Sequence, residues 1–204
     1  MKKIIPLIML VFLCSCGTGV IYVAKNETES FKTIYEDARV QKLSKENEGL
    51  LKGIYQRLIR SHIDVYKEGI GITLLNDQNK EKLHYIMINI RPSELAFNES
   101  TTTPEQRFSY VLQNSFPKYL NFVKKEDLNH DDIEGLALGG YWPVRDFSQC
   151  DTFGGFIEYI HIYFSKEDVW DMLDKKKNFV DAVQSSEVIT SLNLKPAQNV
   201  KPVF

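Results

Sequence analysis

Apolar positions recur at three- and four-residue steps early in the chain and at two-residue steps in its middle. From Ser30, Phe31, Ile34, Tyr35 and Ala38 trace one helical stripe. A stronger run follows Ser44: Leu50, Leu51, Ile54, Tyr55, Leu58, Ile59 and His62 or Ile63. Gly49 and Gly53 each weaken that helix by about 1 kcal/mol relative to Ala. Lys52, Gln56, Arg57 and Arg60 fall off the stripe and should face water. Gly69 and Gly71 end the helical region. Two strands follow at 70–75 and 83–91, joined by the turn-rich Asn76-Asp77-Gln78-Asn79-Lys80. The second strand alternates Leu83/Tyr85/Met87/Asn89 with His84/Ile86/Ile88/Ile90, and both sets are largely apolar. Such a strand belongs at the centre of a sheet. Pro92 stops it.

The pattern then returns to helix. Thr103-Pro104-Glu105-Gln106 places a cap, a proline in the first turn and a capping-box glutamine in order. Phe108, Val111, Leu112, Phe116, Tyr119, Leu120 and Val123 trace the apolar face, which Pro117 kinks or restarts with Ser115 as cap. After the charged stretch 124–132, residues 133–144 and 155–164 read as a second hairpin, with a long link at 145–154. Ser165-Lys166-Glu167-Asp168 caps another helix, carrying Val169, Trp170, Met172 and Leu173. Residues 179–183 and 188–192 read as a last helical stretch. Pro196 and Pro202 make the tail extended. The order is helix, hairpin, helix, hairpin, helix. It predicts one α+β domain over residues 30–195, an antiparallel sheet with helices packed mainly on one face, and a tail at 196–204. A mixed sheet with helices on both faces is the alternative.

The N-terminus follows a different pattern. Lys2 and Lys3 precede an apolar run at 4–13, and Leu13-Cys14-Ser15-Cys16 closes it. Ten apolar residues fall short of the roughly 20 that a membrane-spanning helix needs. A basic start, a short apolar run and small residues at its end mark a secretory signal. This leader resembles that of bacterial lipoproteins. Cys16 takes the lipobox position, with Ser15 before it and Leu13 three residues upstream. The resemblance covers the leader alone. It implies cleavage after residue 15, lipidation of Cys16 and a palmitate-type acyl anchor in the bilayer through Cys16, with residues 16–29 as the lipidated tether. Two or more acyl chains give stable anchoring. Gly17 rather than Asp after the Cys implies the outer membrane, on its periplasmic face, if the cell is Gram-negative. Residues 17–29 are polar apart from 20–24 and read as a tether.

Composition narrows the function. The chain has 204 residues and a formal net charge of −2. Loss of Lys2 and Lys3 with the leader takes this to about −4, with no basic stripe for nucleic acid. Of three Cys, Cys14 leaves and Cys16 is acylated, so Cys150 has no intrachain partner and is buried or pairs with another chain. Asn26-Glu27-Thr28 and Asn98-Glu99-Ser100 fit the glycosylation sequon, which a bacterial leader makes irrelevant.

Chemical motifs are sparse. His62, His84, His130 and His161 show no ligand spacing, and no metal or cofactor is expected. Asp127-x-Asn129-x-Asp131 starts like a calcium loop, but Asp132 stands where glycine is needed and Leu138 where the bidentate acid is needed. Nucleophile elbows, phosphate loops and dinucleotide fingerprints are missing. The segment from Gly139 to Phe147 stands out, because Tyr, Trp and Arg concentrate at binding hot spots. Tyr141, Trp142, Arg145 and Phe147 are therefore the candidate binding patch, for an envelope protein or glycan. The competing placement has Trp142 and Phe147 plugging the core edge. The rival function is an envelope hydrolase or transferase, with a site assembled from His84, Glu158 and His161.

Overall fold

A computed structural model describes residues 37–63, 65–76, 82–90, 95–147, 155–192 and 195–196. The leader, Cys16, the tether, the helical run that begins at Ser30, Cys150 and the tail from 197 lie outside the described residues. The protein is α+β. The elements run α1 (Ala38–Glu46), α2 (Glu48–Arg60), β1 (Val65–Asn76), β2 (Lys82–Ile90), β3 (Phe97–Asn98), α3 (Pro104–Asn114) and α4 (Pro117–Leu120). After a 3-10 turn at Lys125–Leu128 come β4 (Gly135–Arg145), β5 (Phe156–Ser165), α5 (Lys166–Leu173), α6 (Phe179–Gln184), β6 (Glu187–Leu192) and β7 (Lys195–Pro196).

The helices start where capping groups stand. Asp37 accepts from the backbone N–H of Arg39 and Val40 at the head of α1. Thr103 and Gln106 form the reciprocal capping box of α3. Ser165 accepts from the Asp168 N–H to open α5. Pro117 opens α4 as a separate helix, with Ser115 closing α3 instead of capping α4. Helix α2 ends on His62 in the left-handed region (φ 56°). Its N–H bonds to the Ile59 carbonyl and that of Ile63 to Leu58, a Schellman closure without glycine.

Seven strands form one mostly antiparallel sheet, ordered β1-β2-β4-β5-β6-β7, with β3 paired to β4 beyond the end of β2. The observed order departs from expectation in two places. Residues 188–192 belong to strand β6, paired with β5 through His161↔Ile189, and not to a helix. The β-branched run Val188-Ile189-Thr190 favours the extended form. The two hairpins meet through a parallel pair, Ile86↔Leu136 to Ile90↔Gly140. The connection between them carries α3 and α4, long enough for the crossover that parallel strands require.

The two faces of the sheet differ. Ile70, Ile72, Ile86, Ile88, Leu136, Leu138, Trp142, Ile160, Ile162 and Phe164 point to one side. They form a single core with the buried residues of α1 to α6, including Leu43, Leu51, Phe108, Phe116, Val169 and Val183. The opposite face gathers a small separate cluster: Tyr85, Met87, Ala137 and Tyr163, with Leu75, Leu83 and Ile189 against it.

Candidate functional site

The helix-covered face holds a buried charge pair. Arg107 sits on the apolar stripe of α3 beside Phe108, and Glu158 interrupts the apolar face of β5 between Phe156 and Ile160. The two are 3% and 0% exposed. Arg107 donates from Nε to Glu158 Oε2 at 2.8 Å and from Nη2 to Oε1 at 2.5 Å. Trp142 Nε1 donates to Oε2 at 2.9 Å. The remaining Arg107 nitrogen donates to the Thr102 carbonyl. Both carboxylate oxygens and all three guanidinium nitrogens thus have protein partners, the condition under which a buried ion pair is tolerated.

This pair floors a cleft of about 750 Å³. Its wall is the turn 99–103, held by Asn98. The Asn98 side chain accepts from the Ser100 N–H at 3.1 Å and its hydroxyl at 2.8 Å, and the Thr102 hydroxyl donates to the Asn98 carbonyl at 2.7 Å. Ser100, Thr101, Thr103 and Glu99 line the cleft opposite Phe156. The Glu99 N–H donates to the Arg145 carbonyl at 3.1 Å, which joins the cleft to the end of β4. There the Arg145 guanidinium lies 5.1 Å from the centre of the Phe147 ring. Phe147 is 49% and Tyr110 51% exposed, and Tyr110 packs edge-on against Phe97.

The structure divides the four residues of the expected patch. Arg145 and Phe147 stand together at the end of β4, outside the cleft lining and joined to it through the Glu99–Arg145 backbone bond. Trp142 is fully buried and packs edge-on against Phe97 and Phe108, so it cannot touch a partner. Alternation along β4 explains this: 142 faces the helices and 141 the opposite side. Tyr141 joins Tyr159 and His161 on the second face, its hydroxyl hydrogen-bonded to His161 Nε2 at 2.9 Å. Arg107, Tyr110 and the 99–103 wall were not singled out from the sequence. The signal available was two opposite charges, at 107 and 158, each breaking an apolar stripe.

His84, Glu158 and His161 do not converge. Glu158 and His161 point to opposite faces of β5. His84 lies beside Glu134 at the far end of the sheet, level with the end of β5 near Ser165. That is seven residues from Glu158, roughly 23 Å along the strand. His161 is held neutral: burial lowers its pKa from 6.5 to about 4. Burial also lowers that of His84. Near His161 the middle strand has no side chain at Gly139, and a Cβ there would lie 1.8 Å from Asn89 Oδ1 and 2.7 Å from the imidazole. Asn89 donates to the Met87 sulfur at 3.2 Å, while its Oδ1 is buried without a partner.

Among the described residues, no group of three His, Cys, Asp or Glu is placed to hold a metal, and no helix is long and apolar enough to cross a membrane. No protein-family model, curated protein or solved structure matches the chain.

Proposed function

We propose that the chain is a lipid-anchored binding protein of the bacterial cell envelope, held in the bilayer through acylated Cys16. Its recognition surface is the cleft between the 99–103 turn and Phe156, extended by Arg145 and Phe147. The carrying observation is a hydroxyl-lined cleft whose wall is joined, through the Glu99–Arg145 backbone bond, to the strand end that bears an exposed cation–aromatic pair. Hydroxyls and backbone groups give adaptable hydrogen bonds, and an exposed ring beside an Arg gives area and a charged handle. This suits a protein or glycan partner. The Arg107–Glu158 pair keeps the floor rigid, because each of its groups is already engaged. The separation of His84, Glu158 and His161 further supports binding over hydrolysis or transfer by those three residues.

Photo-crosslinking from Ser100 and from Phe147 in intact cells tests the surface. Both positions should trap the same partner, and Arg145→Ala should weaken capture. Silence at both, with capture from Lys42 on the remote helix α1, would place recognition elsewhere. Mass analysis of the mature N-terminus tests the anchor. A diacylglyceryl-modified Cys16 is expected, and an unmodified Cys16 or another start ends that part of the proposal.

A further inference from the structure

We propose that the cleft takes the cationic end of a basic side chain, an arginine or lysine of a polypeptide partner. The proposal rests on the cleft being the recognition surface and names the group it recognises.

The first observation is where the hydrogens of the cleft wall go. Asn98 collects most of them. Its side-chain oxygen accepts from the Ser100 N–H and hydroxyl. Its carbonyl accepts from the Thr101 and Thr102 N–H groups at 3.3 and 3.2 Å. The Thr102 hydroxyl donates to the same carbonyl at 2.7 Å, and the Thr101 hydroxyl more loosely at 3.5 Å. The Glu99 N–H is spent on the Arg145 carbonyl and the Thr103 N–H on Gln106 Oε1 at 2.9 Å. Pro104 has no N–H. The Glu105 carboxylate accepts from its own backbone N–H and from the Thr103 hydroxyl, which hold its pKa below the usual carboxylate range. On the floor, Arg107 directs four of its five guanidinium hydrogens to Glu158 and Thr102. The fifth belongs to a side chain only 3% exposed. Each N–H and hydroxyl of residues 99–103 therefore points back into the protein. The hydroxyl oxygens keep lone pairs facing outward, because donating one hydrogen leaves their acceptor capacity. The wall offers acceptors and almost no donors.

The second observation is charge. Arg107 cancels Glu158. Glu99 is exposed, and its carboxylate has no partner among the described residues. Glu105 adds a second negative charge beside the lining Pro104. The cleft is thus net negative. Arg and Lys side chains match it, since they carry five and three donors and no acceptor. The Phe156 wall suits both the apolar stem and the cation. Other ligands fit less well. A neutral sugar hydroxyl both donates and accepts, and finds acceptors alone. An anion meets Glu99, and the N-terminus of α3 that would attract it is already filled by Thr103, Gln106 and Glu105.

Nuclear magnetic resonance of the full chain tests the assignment. The Trp142 indole donates to Glu158 on the floor, and Trp170 on α5, beyond the other end of β5, serves as the control. Acetyl-glycyl-arginyl-glycinamide and its lysine counterpart should saturably shift the Trp142 indole and the amides of 99–107, and leave Trp170 in place. Glu99→Gln should weaken binding about threefold, the size expected of one exposed charge, and added salt should weaken it in the parent chain. The glutamyl peptide and a disaccharide of N-acetylglucosamine should cause no shift. Saturable shifts with either of those and none with the basic peptides overturn the proposal, as does basic-peptide binding that Glu99→Gln and salt leave unchanged. Silence with every probe overturns it too, and the crosslinker at Ser100 then separates the two readings. A partner trapped there keeps the cleft as a recognition surface without a basic side chain in it, whereas a silent Ser100 ends both.

Discussion

The Arg107–Glu158 network on one face of this sheet and Asn89 on the other treat buried polarity in opposite ways. On the helix-covered face, Glu158 and Arg107 are both charged and nearly inaccessible, and every nitrogen and oxygen of the pair has a partner. On the other face, the buried Asn89 Oδ1 has none, and His161 is kept neutral by burial. The difference teaches where rigidity and adaptability lie. A saturated network fixes one arrangement of α3, β4 and β5 beneath the cleft. An unsatisfied acceptor beside a neutral imidazole stores a cost that substitution can release. Four experiments would break or sharpen this contrast.

The largest effect belongs to Glu158. Glu158→Ala leaves Arg107 as a buried cation and Trp142 Nε1 without an acceptor, and should cost about 3–5 kcal/mol in urea unfolding. Arg107→Met combined with Glu158→Leu should recover most of that loss, because removing both charges removes the uncompensated one. A single-variant cost below about 1 kcal/mol would mean that the pair is hydrated and the faces are alike.

Next comes acid. His161 binds its proton near pH 4 in the fold but near 6.5 when unfolded. Between these values the unfolded chain holds more protons, so stability rises with pH across that window. It is fully present above about 6.5, declines as pH falls toward 4, and is flat with respect to this group below. The ceiling is about 3 kcal/mol. His84, shifted in the same direction, adds to the same slope. Asp37, lowered to about 2 chiefly by Lys82, acts only in more acidic solution. Urea midpoints from pH 4 to 7 should therefore slope upward, and His161→Gln should flatten much of the slope. An unchanged slope in that variant would move the acid-sensitive group off the second face.

Much of the helix-covered face was legible from spacing. Asp168 follows Ser165 at the capping interval, Gln106 follows Thr103 likewise, and Ile86, Ile88 and Ile90 alternate as a buried strand must. What was not legible depended on pairing between distant elements. The parallel register of β2 and β4 follows from the crossover and leaves no local mark. Residues 188–192 carry an apolar run too short to separate strand from helix by period, and only pairing with β5 decides it. For the site, the prominence of Tyr141, Trp142, Arg145 and Phe147 in the sequence was real. Period-two alternation, however, sends Tyr141 and Trp142 to opposite faces and leaves Arg145 and Phe147 at the strand end. The same alternation separates Glu158 from His161. Arg107 and Glu158 betrayed themselves as charges at core positions, a signal that becomes informative when the two are read together.

Neighbouring glycines provide the third comparison. A Cβ at Gly139 would meet the Asn89 side chain at 1.8 Å on the second face, and one at Gly140 would meet the Phe116 ring at 2.7 Å on the other. Gly139→Ala and Gly140→Ala should each cost about 1–3 kcal/mol by overpacking. They should differ in rescue. Asn89→Ala removes the nearer of two obstacles to Gly139→Ala and leaves the His161 imidazole at 2.7 Å, so the double variant should be more stable than the sum of the single changes predicts by at least 0.5 kcal/mol, about the threshold for coupling between contacting sites. Asn89→Ala should leave the cost of Gly140→Ala unchanged. Equal coupling of Asn89 to both glycines would show that the faces communicate through β4 and do not pack separately.

The smallest effect is the most diagnostic of the unpaired acceptor. Asn89→Leu keeps similar volume, removes Oδ1 and gives up the contact from the amide to the Met87 sulfur. Burying a carbonyl oxygen without a partner costs about 1–3 kcal/mol, whereas a bond to a thioether is weak. The exchange should therefore stabilise the fold by about 1 kcal/mol, unlike any charge-removing single change at Arg107 or Glu158. Urea unfolding measures it directly. Destabilisation of similar size would mean that Oδ1 accepts a hydrogen bond in solution. Asn89 would then be a polar anchor of the second face, as Glu158 is of the other.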